Sequence, residues 1–467
     1  MLVRHRHELP ALNDCFCPPS DAGAAPEFSG LLHIAQSSME TRPRLESPRI
    51  EDRDARLFPC VALGFVTLGA VVVPLQRGEM VPEHRPGRAR SGAESYWSII
   101  PQCGRIWRDP DEVRGWSRAA FPLMLVGDTE NHSHQGVATF RYKGGEVGEL
   151  EFQFVQQTAP YLLRQHFIAW GRAPIRFAPL AAREAAVQRA SAQAELARRL
   201  PQRPWADLIR ETSASSLAGF GGPVREQWRV LAALVRDGTI YHQESSTPCG
   251  NYPYPLEMRF GVRSVMKSIG APLALLRLAQ VCGPYVLALK IGDFVEGIDP
   301  KYRAVRFIDA ANMATGFGGT GTWRTNPNDP FDGYLEGDYD AWYGCPSHRE
   351  KLRQIRRSLR PYPWEQGTVM RYRDQDFYLL GVAIDRFVKA MRGPDADVWD
   401  MLRSEVLEPI GIAHAPVVRT REARGRRGIP WLNAGYYPTL DDLAKIALLY
   451  QSRGAYGGEQ ILHRGLT

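Results

Sequence analysis

The sequence predicts an α+β protein, with a small antiparallel β domain ahead of a larger helix-rich domain. Three observations carry the prediction. Short β-like runs recur between residues 121 and 157 (FPLMLV, GVATFRY, GELEFQFVQQ), the last with Leu150, Phe152 and Phe154 on one face and Glu149, Glu151 and Gln153 on the other. Apolar residues return at helical spacing over Asp376–Met391, closed by Gly393-Pro394, and over Leu440–Gln451. From about residue 224 onward, helical patterns separated by short loops dominate. The 467 residues, 44% apolar, exclude a disordered tail, a collagen-like fibre and a small disulfide-stapled domain.

The elements follow in order. Residues 1–56 are rich in Pro, Arg and acidic groups without periodicity, and read as disordered or as an over-extended start, since Met39 offers a second initiation point. Residues 57–75 (LFPCVALGFVTLGAVVVPL) carry no charge and lie between Arg56 and Arg77. That length and those flanks suit a signal h-region or a membrane anchor, with a buried core helix as the alternative. The expected location is therefore periplasmic or secreted, membrane-anchored if the run is not cleaved. Residues 85–200 read as the β-rich domain with a trailing helix. Its Lys143-Gly144-Gly145 signals a hairpin turn, and its helix-forming stretch 181–200 is bounded by Pro179 and Pro201. Residues 201–223 read as linker and 224–467 as the second domain, with helices expected at Gln227–Val235 and within Ser264–Cys282. Thr439 and Asp442 stand in capping-box spacing ahead of the last helix.

Composition narrows the chemistry. The net charge is +7, but the 58 basic residues include only seven Lys, leaving 58 − 7 = 51 Arg, spread along the chain. That is a compositional habit, not a nucleic-acid patch, and it makes each Lys worth inspecting. Of the seven Cys, Cys103, Cys249, Cys282 and Cys345 follow the apolar run and allow three pairings, with free thiols equally consistent. Cys15-Phe16-Cys17 lacks a partner pair with zinc spacing. Asp128, Glu130, His132 and His134 form a polar cluster that reads as a loop before it reads as a metal site. Gly316–Gly321 spells G-x-G-x-x-G, but polar, Pro-rich sequence follows it where a dinucleotide site needs a helix. No cofactor, no metal and no nucleic-acid partner is expected.

Ser264-Val265-Met266-Lys267 is an S-x-x-K. On a helix, residues i and i+3 share a face, so the lysine reaches the serine hydroxyl. An apolar surround lowers a lysine pKa and lets the neutral amine take the serine proton. The bland reading is a helix-capping serine followed by a surface lysine. Gly270 and Pro272 lie just beyond and should kink the helix.

The blocks around this motif carry a resemblance. GVRSVMKSIGAPLALLRLAQVCGPYVLALKIGDFV resembles the nucleophile helix of the serine β-lactamase and penicillin-binding-protein superfamily, in particular the class C β-lactamase-related branch. Asp293-Phe294-Val295 matches the D-x-[LV] element that follows. IDAANMATGFG, PWEQGTVMRYRDQDFYLLGVAIDRF, VLEPIGI and GYYPTLDDLAKIALLYQSRGAYGGEQIL match later blocks in order, over roughly 225–467. The resemblance implies a β-lactamase/transpeptidase-like domain, a helical cluster plus antiparallel sheet, with Ser264, Lys267 and Tyr372 catalytic. Tyr372-Arg373-Asp374 stands at the Y-x-N motif, so Asp374 takes the place of a substrate-binding Asn. An ionised carboxylate cannot donate to a substrate amide, and it can instead pair with Lys267 and hold it charged. The third motif, K-T-G or H-x-G on a strand, has only His463-Arg464-Gly465 as a match in letters, too early in the block order, so the motif is expected beyond residue 467.

The expected function is a serine hydrolase working through an acyl-enzyme on an amide or ester bond, of a β-lactam, a D-amino-acid peptide or a small ester. Its partner is that small-molecule or peptide substrate, with membrane association through 57–75. The rival is a catalytically impaired, membrane-associated binding or structural protein that keeps the fold.

Overall fold

A computed structural model describes residues 12, 14–42, 53–76, 79–83, 93–127, 132–155, 167–213, 215–217, 219–220, 229–247, 249–300, 302–318, 328–331 and 339–467. The chain is α+β and forms two compact units. The first holds the chain up to Gly127, His132–Phe260 and Thr439–Ala444; the second holds Gly261–Pro438 and Lys445–Thr467.

The first unit is built on a twelve-stranded sheet. Its main strands are β1 (Ser29–Ile34), β2 (Glu40–Arg42), β3 (Val61–Leu68), β4 (Val71–Pro74), β5 (Gly104–Trp107), β6 (Ser117–Gly127), β7 (His132–Lys143), β8 (Leu150–Val155), β9 (Ile168–Ala173) and β10 (Ile175–Pro179). They lie in the order β10-β1-β3-β4-β5-β6-β7-β8-β9-β2, antiparallel throughout. β1 and β2 stand eight strand spacings apart in that order, roughly 38 Å if flat. The chain from Ile34 to Glu40 covers about 20 Å at most. The sheet must therefore curl until its two ends approach.

The segment 57–75 is strand and not helix. It is Leu57–Phe58 plus the β3–β4 hairpin, turned at Gly69, whose φ of 56° suits a two-residue loop. Its lack of polar alternation has a packing cause. Val61, Leu63, Phe65 and Val72 face the main core, while Val66 and Val73 on the other face pack with Ala192 of the helix Ala182–Leu196. A strand covered on both faces reads as one apolar run.

Other boundaries move as well. Residues 1–56 contain β1 and β2, and Phe16 is buried beside Tyr254, whose hydroxyl donates to its carbonyl at 2.8 Å. The β domain thus begins well before residue 85. The expected linker 201–223 contains Gln202–Pro204, paired in parallel with Thr239–His242, and the helix Trp205–Glu211. The helix expected at Gln227–Val235 is not one in its described part. Ala233–Arg236 is a strand, turned through Asp237 and Gly238 (φ 51° and 72°) into Thr239–His242. The division between units falls at Phe260 and Gly261, not at 224, because 252–258 is held on the sheet by Tyr252 donating to the Gly136 carbonyl at 2.6 Å.

The second unit is mainly helical, with the two-stranded pairings Phe317–Gly318/Arg360–Pro361 and Ala455–Tyr456/Glu459–Gln460. Its central helix, Asp374–Arg392, is buried almost all round over its first dozen residues and ends at Gly393 with φ 103°. Ala271–Cys282 packs against it. The seven cysteines all lie among the described residues, and no disulfide joins any two of them. His134 is a core residue, its ring 4.0 Å from Phe167 and 5.4 Å from Trp97. Asp128 and Glu130 of the polar cluster, and Gly319–Gly321 of the glycine motif, lie outside the described residues.

Candidate active site

Ser264 lies in a short 3₁₀ turn, Arg263–Val265, that runs directly into Met266–Ile269. The residue before it, Arg263, is held at φ 46°. That left-handed conformation costs a non-glycine residue on the order of 1–3 kcal/mol and tends to occur where a neighbour is being aimed. The helical run breaks at Gly270 and restarts as Ala271–Cys282, with Pro272 in the new first turn. The proline is thus placed where its missing N–H costs nothing. Glycine is needed at the break itself, since a Cβ there would stand 2.8 Å from the Leu432 carbonyl and 2.9 Å from that of Met266.

Lys267, one turn on, is 8% exposed. Its Nζ donates to Ser264 Oγ at 3.0 Å and to the Asn433 carbonyl at 3.3 Å, and it forms an ion pair with Asp374. The ammonium also lies 4.7 Å from the centre of the Tyr372 ring and 5.8 Å from that of Phe377. Three acceptors match the three N–H bonds of a protonated lysine, and the aromatic faces favour the cation.

Asp374 opens the central helix, where a carboxylate is favoured by the helix dipole. Besides the lysine, it accepts from the Tyr339 hydroxyl at 2.6 Å. Asp374 is 3% exposed, with one oxygen on Lys267 and the other on Tyr339. Two residues on, Asp376 accepts from Tyr302 at 3.0 Å and Thr315 at 2.8 Å. Complete burial pushes its carboxyl up, against the opposing charge of Arg373. These bonds tie the start of the central helix to the segments bearing Tyr302 and Thr315.

Tyr372 precedes that helix. Its N–H donates to the Pro330 carbonyl at 2.7 Å, and its ring lies 5.2 Å from that of Phe331. Ser264, Lys267, Tyr372 and Asp374 are therefore gathered around one ammonium. His463 is elsewhere, in a turn after the Ala455–Tyr456/Glu459–Gln460 pairing with its N–H on the Leu276 carbonyl at 3.1 Å, and not on a strand. Sequence reasoning missed Tyr339, Asn433 and the buried Lys351. The lysine was the findable one, being one of only seven and set behind the capping box Ser347–Glu350.

No family model matches the chain, and no curated protein does. Solved structures do. A Bacillus anthracis protein described as a 6-aminohexanoate-dimer hydrolase is 17% identical, covering 51% of this chain and 57% of its own, with a TM-score of 0.38. An octameric penicillin-binding protein homologue from Pyrococcus abyssi is 19% identical over 50% of this chain and 54% of its own, with a TM-score of 0.35. A class C β-lactamase is 15% identical over 51% and 62%, with a TM-score of 0.31. This chain thus spans little more than half the length of these structures. The solved structures it resembles are of the β-lactamase and penicillin-binding-protein kind.

Proposed function

We propose that the second unit is a serine hydrolase acting through an acyl-enzyme on an amide or ester bond. One observation carries the reading: Ser264 Oγ lies 3.0 Å from the Nζ of a buried lysine one turn away. A lysine is seldom buried without a task or a partner, and this one has both a carboxylate and a hydroxyl in reach.

Ser264 Oγ attacks the carbonyl carbon, a C–O bond forms, and the bond to the leaving amine or alcohol breaks as that group takes a proton. Water then repeats the attack and returns the proton to Ser264. Lys267 acts as a fixed positive charge, because its three N–H bonds are spent on Ser264, Asn433 and Asp374 and no lone pair is left to accept a proton. Its charge stabilises the alkoxide that forms as Ser264 gives up its proton. Tyr372, with its ring 4.7 Å from that charge, is then the group that shuttles the proton. The backbone N–H of Ser264 is the donor expected at the oxyanion. No cofactor enters this scheme.

The rival reading, an impaired binding protein, is favoured by the same Lys267–Asp374 pair, which removes the lysine as a base. Treatment with a fluorophosphonate probe followed by peptide mass spectrometry separates the two. The hydrolase predicts a label on Ser264 that disappears in Ser264→Ala. A folded protein with no label on Ser264 would support the rival.

A further inference from the structure

A second buried lysine lies behind the first. Lys351, in the helix His348–Ser358, has no exposed surface. Its Nζ donates to the carbonyls of Trp342 at 3.1 Å and Tyr343 at 2.9 Å. It also stands 4.0 Å from the centre of the Trp431 ring, with the Trp342 and Tyr343 rings at 4.8 and 5.8 Å. Two carbonyls and one close indole face thus account for its three N–H directions.

The two segments that meet at Lys351 also bear on two acceptors of Lys267: one clamps Asp374 and the other carries Asn433. Trp342 and Tyr343 end the helix Tyr339–Tyr343, whose first residue clamps Asp374. Trp431 is two residues before Asn433, whose carbonyl accepts from Lys267. The Tyr343 and Trp431 rings meet edge to face at 5.3 Å, and the ammonium lies against both.

We propose that Lys351 is a positioning residue for the Ser264 site: its ammonium fastens the Tyr339 and Trp431 segments to each other, and its loss of a proton loosens the acceptors that hold Lys267. This rests on the hydrolase reading only for its effect on catalysis. Burial pushes the Lys351 ammonium down to about 7. The titratable groups facing it are the Cys345 thiol from the preceding turn, which burial keeps protonated, Glu350 on its own helix and Asp374 on the central helix, and the two carboxylates favour the charged form. The cage is therefore filled by a cation below neutrality and by an amine above it. The amine keeps two N–H bonds for the two carbonyls but loses its attraction to the indole.

The test uses the full chain labelled with ¹³C at lysine Cε, where seven signals are expected, each assigned by a single Lys→Arg variant. One signal, that of Lys351, should titrate near pH 7, and that of Lys267 should shift with the same midpoint. A Lys351 signal that titrates only in the ordinary lysine range, or a Lys267 signal indifferent to it, overturns the proposal. In parallel, the rate of fluorophosphonate labelling at Ser264 should change about tenfold between pH 6 and 8 in the parent protein, and Lys351→Met should flatten that step. A step of unchanged size and midpoint in a folded Lys351→Met also overturns it. If Ser264 never labels, the hydrolase reading fails alone, and the lysine signals still decide the coupling.

Discussion

Lys267 Nζ meets Ser264, Asn433 and Asp374 in a setting with almost no solvent. Taking away one member of a buried ion pair leaves the other charge without compensation, at a cost of about 3–5 kcal/mol. Lys267→Met should lose that much stability in urea unfolding, and Lys267→Met with Asp374→Leu should regain most of it. Additive losses in the double variant would mean the two side chains do not interact. The i, i+3 spacing and the block around Tyr372 single out Ser264, Lys267, Tyr372 and Asp374 in the sequence, and the fold gathers these four around one ammonium. Tyr339 and Asn433 were not legible because they reach the site through the fold, 35 residues from Asp374 and 166 from Lys267. The pairing of Asp374 with Lys267 was legible from its place in the Tyr372 block, but its depth of burial was not, since exposure is a property of packing.

At the scale of elements, the break at Gly270 sets where Ser264 stands. Gly270→Ala places a methyl against two carbonyls in the same spot. Overpacking of this kind costs about 1–3 kcal/mol, and relief by rotating the short helix Met266–Ile269 would carry Lys267 away from Ser264. Both a lowered unfolding midpoint and slower Ser264 labelling are expected; a variant unchanged in both would show that the break is tolerant. The kink itself was readable, because glycine and proline act locally. The hairpin at 57–75 was misread because periodicity reports only faces that differ. Once the helix Ala182–Leu196 covers the outer face of β3 and β4, strand and apolar helix look alike. Ala233–Arg236 was misread because Asp237-Gly238 was passed over as a turn signal.

Over the whole molecule, acid stability has an identifiable contributor. Burial, aided by the nearby charge of Arg386, pushes the His348 imidazole down to about 4, and its Nδ1 lies 2.8 Å from the Tyr378 hydroxyl. Its folded pKa lies below the unfolded value of about 6.5. Between those two values the unfolded chain therefore binds more protons. Stability should fall as pH drops from about 6.5 to 4, by about 3 kcal/mol at most from this residue. His348→Phe should flatten that part of the stability profile, and an unchanged slope would assign it to other groups.

The curled sheet of the first unit sets a timetable for folding. β1 gains one neighbour when β3 is made, but its other flank pairs with β10, at residues 175–179. At ~5–20 residues per second the ribosome needs roughly 7–30 s to deliver that strand after β1 has been made. Until then β1 offers an open edge, of the kind that recruits strands from other chains. Pairings this distant in sequence also place refolding toward the slow end for single domains. A chain halted before residue 175 should therefore aggregate where one extended past 179 does not, a difference that sedimentation of stalled and released products would reveal.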